Sequence, residues 1–178
     1  MSLKIIETEL SGVVLVEKTA FEDERGLFSK TYNLDAFADA GLDGIFEETF
    51  FSVSKKNVIR GMHYQKKPFE HDKLVSVISG EIVDVLVCID EDSEEYGHST
   101  AISLSSSSPY SVYIKKGYAH GFLTTSKEAV VLYQTTKGYS PESDTGIHFQ
   151  SFDYDWRVSE PLISHRDMEL PKLGEHEW

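Results

Sequence analysis

Two histidines stand where the chain can do chemistry. The segments Val58-Ile59-Arg60-Gly61-Met62-His63-Tyr64-Gln65 and Lys115-Lys116-Gly117-Tyr118-Ala119-His120 each place one imidazole in or beside a strand, a few residues after a glycine. A neutral imidazole can serve as a general base or as a metal ligand. A metal site needs three or four nitrogen or carboxylate ligands that converge. Two residues beyond His63 the chain has Gln65 rather than a second histidine, and each region supplies one imidazole only. The ligand set falls short, so no metal is expected. His98, His148, His165 and His176 read as satisfied core or exposed residues, and His71 in Glu70-His71-Asp72-Lys73 as a surface-loop residue. The chain has four arginines, Arg25, Arg60, Arg157 and Arg166, and any that converge would make a local anion site.

Acidic residues outnumber basic ones 30 to 17 over 178 residues, a formal net charge of -13. That balance argues against a broad nucleic-acid or anionic-membrane surface. An anionic small molecule would have to meet a cationic pocket inside a repelling field. Hydrophobic residues make up 40% and charged residues 26%, which suits one globular domain spanning 1–178. The longest apolar runs, such as Gly12–Val16, are far below the ~18 residues of a membrane span. Met1-Ser2-Leu3-Lys4 opens no secretory signal, and Cys88 is alone, so a reduced, cytoplasmic setting is expected.

The elements that must carry these residues are short β-type runs at spacings of about 8–12 residues, the pattern of a sandwich or barrel. Candidates are Gly12–Val16, Leu27–Tyr32, Phe46–Val53, Ile59–Tyr64, Leu74–Ser79, Glu81–Val87, Ser99–Leu104, Tyr110–Ile114, Gly121–Thr125 and Ala129–Thr135. The run Ile82–Ile89 is almost continuously apolar, which predicts burial on both faces. Ser79-Gly80 should close a hairpin. One short helix is expected near 34–40, capped by Asn33 and stopped by Gly41; the tail after Phe152 is broken by Pro161 and Pro171 and reads as short helix or coil.

Several segments, in order, resemble the dTDP-4-dehydrorhamnose 3,5-epimerase family. They are Phe21-Glu22-Asp23-Glu24-Arg25-Gly26-Leu27-Phe28, Ser52-Val53-Ser54, the stretch Val58–Gln65, Lys73-Leu74-Val75 and Gly80–Val85. Ser93–Gly97, Gly117–Phe122, Tyr133 with Tyr139-Ser140-Pro141, and Leu162-Ile163-Ser164-His165-Arg166-Asp167 complete the series, which covers residues 11 to 170. The resemblance implies an all-β, cupin-like jelly-roll barrel that needs neither metal nor cofactor. It implies a homodimer whose N-terminal strands cross to the partner, and a nucleoside-diphosphate 4-keto-6-deoxyhexose as substrate.

Epimerisation beside a ketone needs a base, an enolate stabiliser, an acid on the opposite face and a clamp. The resemblance gives these roles to His63 as base, Asp167 as the carboxylate that orients it, Lys73 at the oxyanion and Tyr133 as acid. It places His120 near the ketone with Asp84 as its partner, both among the substrate-binding positions, together with Arg60 and Arg25 at the diphosphate and Phe28, Lys30, Glu48, Phe50, His71 and Tyr139. Strand alternation puts Gly61, His63 and Gln65 on one face and Arg60 on the other. If Arg60 and His63 share a pocket, the strand must bulge near Gly61.

Some recognition positions depart from the family pattern. Lys30 stands where a glutamate is common, Glu48-Thr49-Phe50 replaces Gln-x-Asn, His71-Asp72 precedes Lys73, and Cys88-Ile89-Asp90 follows the central strand. The default reading is inversion at C3 and C5 of dTDP-4-dehydro-6-deoxy-D-glucose. A single-centre epimerase, another nucleotide sugar, a sugar ketoisomerase and a non-catalytic sugar-nucleotide binder remain open at this level.

Overall fold

The computed structural model describes residues 3–178. In chain order the elements are β1 (Ile5–Glu7), β2 (Val13–Glu17), β3 (Thr19–Asp23), β4 (Gly26–Lys30), α1 (Leu34–Asp39), β5 (Glu48–Lys55), β6 (Ile59–Gln65), β7 (Lys73–Ser79), β8 (Glu81–Cys88), β9 (Ser99–Ser105), β10 (Tyr110–Ile114), β11 (Tyr118–Thr124), β12 (Glu128–Thr135), β13 (Asp144–Gly146) and α2 (His165–Met168). A six-stranded sheet in the order β1-β2-β10-β7-β12-β5 faces a five-stranded sheet in the order β13-β6-β11-β8-β9, and β3-β4 form a separate hairpin. This is the expected all-β jelly roll. No helix among the described residues is long and apolar enough to cross a membrane.

The burial pattern explains the apolar run in β8. Ile82 and Leu86 enter the core between the sheets with Val75, Val77, Val112, Phe122 and Val131. Val85, Val87 and Ile89 point the other way, into a second core with Ile59, Met62, Ile147, Phe149 and Trp156. The chain after β13 therefore covers the outer face of the five-stranded sheet, and β8 is buried on both sides. A six-residue helix is marginal alone. The fully buried Phe37 ties α1 to Val16, Leu74 and Tyr113 on the outer face of the other sheet, and Asn33 caps it by accepting from the Ala36 N–H.

The strand reading missed three elements. β1 and β13 span three residues each, and β3 is mostly exposed with no apolar alternation. The predicted strand at Gly121–Thr125 begins earlier, at Tyr118, so His120 lies within β11. The tail forms one helical turn, α2, whose Ser164 caps it by accepting from the Asp167 N–H.

Candidate active site

The bulge expected near Gly61 is present. His120 pairs with His63 and Phe122 with Arg60, so three steps on β6 oppose two on β11. The extra residue turns both Arg60 and His63 toward the same cavity, while Met62 and Tyr64 enter the second core. Gly61 has φ +128°, and a Cβ there would stand 2.5 Å from Gly121 Cα. Only glycine fits that backbone and that close approach.

The cavity holds about 340 Å³ and lies between the two sheets. β6 and β11 contribute Arg60, His63 and His120; β5, β7 and β12 contribute Glu48, Phe50, Ser52, Lys73 and Tyr133 from the opposite sheet. His71 and Tyr139 line its mouth.

On the five-stranded sheet His63 Nε2 lies 2.8 Å from Asp167 Oδ1, and the Gly61 N–H donates to Asp167 Oδ2 at 3.2 Å. Burial pushes the Asp167 carboxyl up, but the hydrogen bonds from His63, Gly61 and Ser164 outweigh it and hold the group below the usual range. Asp167 therefore stays a carboxylate beside an imidazole that is 29% exposed to the cavity. A second pair lies deeper. His120 Nε2 is 2.6 Å from Asp84 Oδ1, and both side chains are buried. Burial pushes the His120 pKa down despite Asp84, with Lys73 and His63 adding to the fall.

On the six-stranded sheet, burial lowers the Lys73 pKa to about 8, partly offset by Asp84 and Asp144. Burial raises the Tyr133 phenol above its ordinary value, which the Ser52 hydrogen bond and Arg60 oppose. Phe50 stacks on Tyr133 at 4.9 Å and 18°. Burial and Lys73 lower the His71 pKa to about 4, so its ring is neutral. The arrangement can hold a base on one wall and an acid with an ammonium on the other.

The dTDP-4-dehydrorhamnose 3,5-epimerase family model matches residues 7–175. The chain belongs to this family. A dTDP-4-dehydrorhamnose 3,5-epimerase of Methanothermobacter thermautotrophicus is 38% identical over 97% of this chain and 96% of its own length. The crystal structure of a dTDP-4-dehydrorhamnose 3,5-epimerase from Elizabethkingia anophelis superposes with TM-score 0.92 at 33% identity, covering 100% of both chains. A dTDP-6-deoxy-D-glucose-3,5-epimerase from Legionella pneumophila, in complex with dTDP-4-keto-L-rhamnose, gives TM-score 0.92 at 34% identity, covering 97% of this chain and 93% of its own.

Of the residues expected at the epimerase site, His63, Lys73, Tyr133, Arg60, Glu48, Phe50, His71, His120 and Tyr139 line the cavity, and Asp167 reaches it through His63. Two readings are corrected. Asp84 is fully buried and acts on the cavity through His120, not as a substrate contact. His71 is not a free surface residue: it is half-buried, within 3.2 Å of Gln65 Nε2. Arg25, Phe28 and Lys30 are not brought to this cavity. They sit on the β3-β4 hairpin, with Arg25 paired to Asp23 and Phe28 61% exposed.

Residue reading missed Ser52, Ser54, Gln65 and Asp144. Ser54 accepts from Arg60 Nε at 2.9 Å and aims the guanidinium. Gln65, in the position of a would-be metal ligand, donates to the carbonyls of Phe69 and Gly138 and accepts from the Ser140 N–H at 2.7 Å. Its amide thus ties together the two loops that carry His71 and Tyr139. Asp144 pairs with Arg166 at 2.8 Å. The Ser52-Val53-Ser54 alternation was the one usable signal, since residues two apart on a strand share a face.

Proposed function

We propose that the protein epimerises a nucleoside-diphosphate 4-keto-6-deoxyhexose at C3 and C5, converting dTDP-4-dehydro-6-deoxy-D-glucose to dTDP-4-dehydro-L-rhamnose. The observation that carries this reading is the placement of His63 and Tyr133 on facing sheets across one cavity. Inversion requires a proton to leave one face of a carbon and return on the other. A pure binding site has no need of that opposition, and shifting a ketone along one face does not call for it.

In this reading neutral His63 takes the C–H proton, and Asp167 holds the other side of the ring and stabilises the imidazolium. The C4 oxygen becomes an enolate. Lys73, which lines the cavity, stabilises that charge, and one such positioned donor is worth about 3–4 kcal/mol. Tyr133 then delivers a proton to the opposite face. The ketone acidifies both neighbouring carbons, so the same groups serve C3 and C5 after the ring shifts.

Arg60, held by Ser54, suits the diphosphate, and Tyr139, 61% exposed at the mouth, offers a flat face for the base. The hairpin carrying Arg25, Phe28 and Lys30 serves the neighbouring subunit's cavity in a homodimer. Its exposed apolar side chains Phe21, Leu27 and Phe28, at 55–62%, are what a covered hairpin would present.

The test is solvent exchange. Incubation with dTDP-4-keto-6-deoxyglucose in D2O should place deuterium at both C3 and C5, and His63→Ala should abolish the label while retaining ligand binding. Label at one carbon would make the protein a single-centre epimerase; no label above the enzyme-free control would overturn the reading.

A further inference from the structure

The Tyr133 hydroxyl has one hydrogen-bond partner among the described residues, Ser52 Oγ at 3.0 Å. Phe50 stacks on the ring at 4.9 Å, and His120 meets it nearly edge-on at 6.2 Å. The ring is thus covered by apolar or aromatic surface on the sides these two residues occupy, and Ser52 is the polar group at its hydroxyl. Ser52 is half-buried, lines the cavity and lies on the edge strand β5, so it touches both the phenol and the open space of the cavity.

A double epimerisation uses the acid twice. After the first delivery Tyr133 is a phenolate in a buried position, and it must regain a proton before the second carbon can be protonated. We infer that Ser52 reloads Tyr133 between the two inversions and so decides whether one or both centres are inverted before the sugar leaves. This inference rests on the epimerase reading above.

The proton balance closes with water as co-reactant. The phenolate oxygen takes the Ser52 Oγ–H proton as Ser52 Oγ takes one from a cavity water, which leaves hydroxide. The proton that His63 removed from carbon passes to solvent and neutralises it. No net charge accumulates, and His63 is returned neutral for the second abstraction. Ser52 touches no reacting carbon; it is a positioning and relay residue acting through Tyr133.

The experiment compares wild type, Ser52→Ala and Ser52→Thr in D2O with dTDP-4-keto-6-deoxyglucose, sampling singly and doubly labelled sugar at early times. Ser52→Ala removes one oxygen and leaves the cross-strand position opposite Val131 otherwise filled. It should lower kcat by about 10-fold with KM within about twofold, the pattern of a group used in turnover rather than in uniform binding. Singly inverted, singly labelled sugar should become the main early product. Ser52→Thr keeps a hydroxyl and should restore the doubly labelled product. A Ser52→Ala enzyme that yields doubly inverted sugar in the wild-type share overturns the relay and leaves the epimerase reading standing. So does a Ser52→Thr enzyme that behaves like Ser52→Ala. A wild-type enzyme that incorporates no deuterium overturns both.

Discussion

Nε2 of His63 lies 2.8 Å from Oδ1 of Asp167, a pair that joins the middle of β6 to a one-turn helix 104 residues further along the chain. The second carboxylate oxygen takes the Gly61 N–H at 3.2 Å, and the Ser164 hydroxyl caps the Asp167 N–H at 3.1 Å. The carboxylate is therefore fixed before it meets the ring. Asp167→Asn keeps the shape and removes the charge that stabilises the imidazolium. The expected outcome in steady-state assays is a fall in kcat of about 10²–10⁴-fold with KM within about threefold. Retention of wild-type kcat would remove Asp167 from the mechanism. The folded carboxyl titrates below its unfolded value of 3.8, so the pair's contribution to stability is present above that pH and is lost as pH falls through the folded value.

Lys73 should set the alkaline limb of activity. Its pKa is lowered to about 8 by burial, so it carries the charge at neutral pH and loses it as pH rises through that value. Activity should fall with an apparent pKa near 8 in a plot of log(kcat/KM) against pH, which reports the free enzyme's groups. A flat profile to pH 10 would mean that the ammonium does not stabilise the enolate.

The same burial carries a cost in stability. The unfolded chain keeps the Lys73 proton up to about 10.5 and the folded chain releases it near 8, so between those values the unfolded state binds more protons and stability rises with pH. At pH 7 the charge opposes folding. Lys73→Met should abolish turnover yet raise the unfolding free energy by about 1–3 kcal/mol. Denaturant titration measures it, and a destabilised variant would show that Asp84 and Asp144 repay the burial of the ammonium.

How far the residues alone reveal this site depends on the kind of residue. His63, Lys73 and Tyr133 sit in short segments whose order and spacing carried the resemblance, and all three line the cavity. The bulge at Gly61 was legible because strand alternation forbids Arg60 and His63 from sharing a face without it. Ser52 and Gln65 were not singled out for the site, since a serine or glutamine on a strand looks the same whether it faces solvent or ties a site together. Asp144 lies in a strand of three residues, too short for periodicity to register. Arg25, Phe28 and Lys30 lie on the β3-β4 hairpin away from the cavity of their own chain, a placement that matching short segments does not encode.

The Gly61–Gly121 contact is open to a direct test of the bulge. A Cβ at residue 61 would meet Gly121 Cα at 2.5 Å and the His120 carbonyl at 2.8 Å, on a backbone with φ +128°. Backbone atoms cannot move aside as a flexible side chain can. Gly61→Ala should lose about 2–4 kcal/mol of stability. It should also lower kcat, because the bulge turns Arg60 and His63 to one cavity. Gly121→Ala meets the Arg60 carbonyl at 2.7 Å and should act alike, with the double variant less than additive because the two share one contact. Thermal unfolding of the three variants checks it; additive losses would separate the two glycines.

Hairpin exchange makes a prediction that a self-contained monomer cannot satisfy. Arg25 is exposed on the β3-β4 hairpin and, among the described residues, is paired only to Asp23, whereas His63 lines the cavity of its own chain. If Arg25 serves the partner's cavity, Arg25→Ala and His63→Ala each inactivate a site, but through different subunits. A mixed dimer then places both defects in one cavity and leaves the other intact. Random assortment of equal amounts makes half of the dimers mixed, so co-expression of the two inactive variants should recover about a quarter of wild-type activity. If Arg25 instead folds back onto its own cavity, every site in the mixture carries a defect and the activity stays at the level of the separate variants. Mixing after folding should recover little until subunits exchange, and the rate of recovery then reports dimer dissociation.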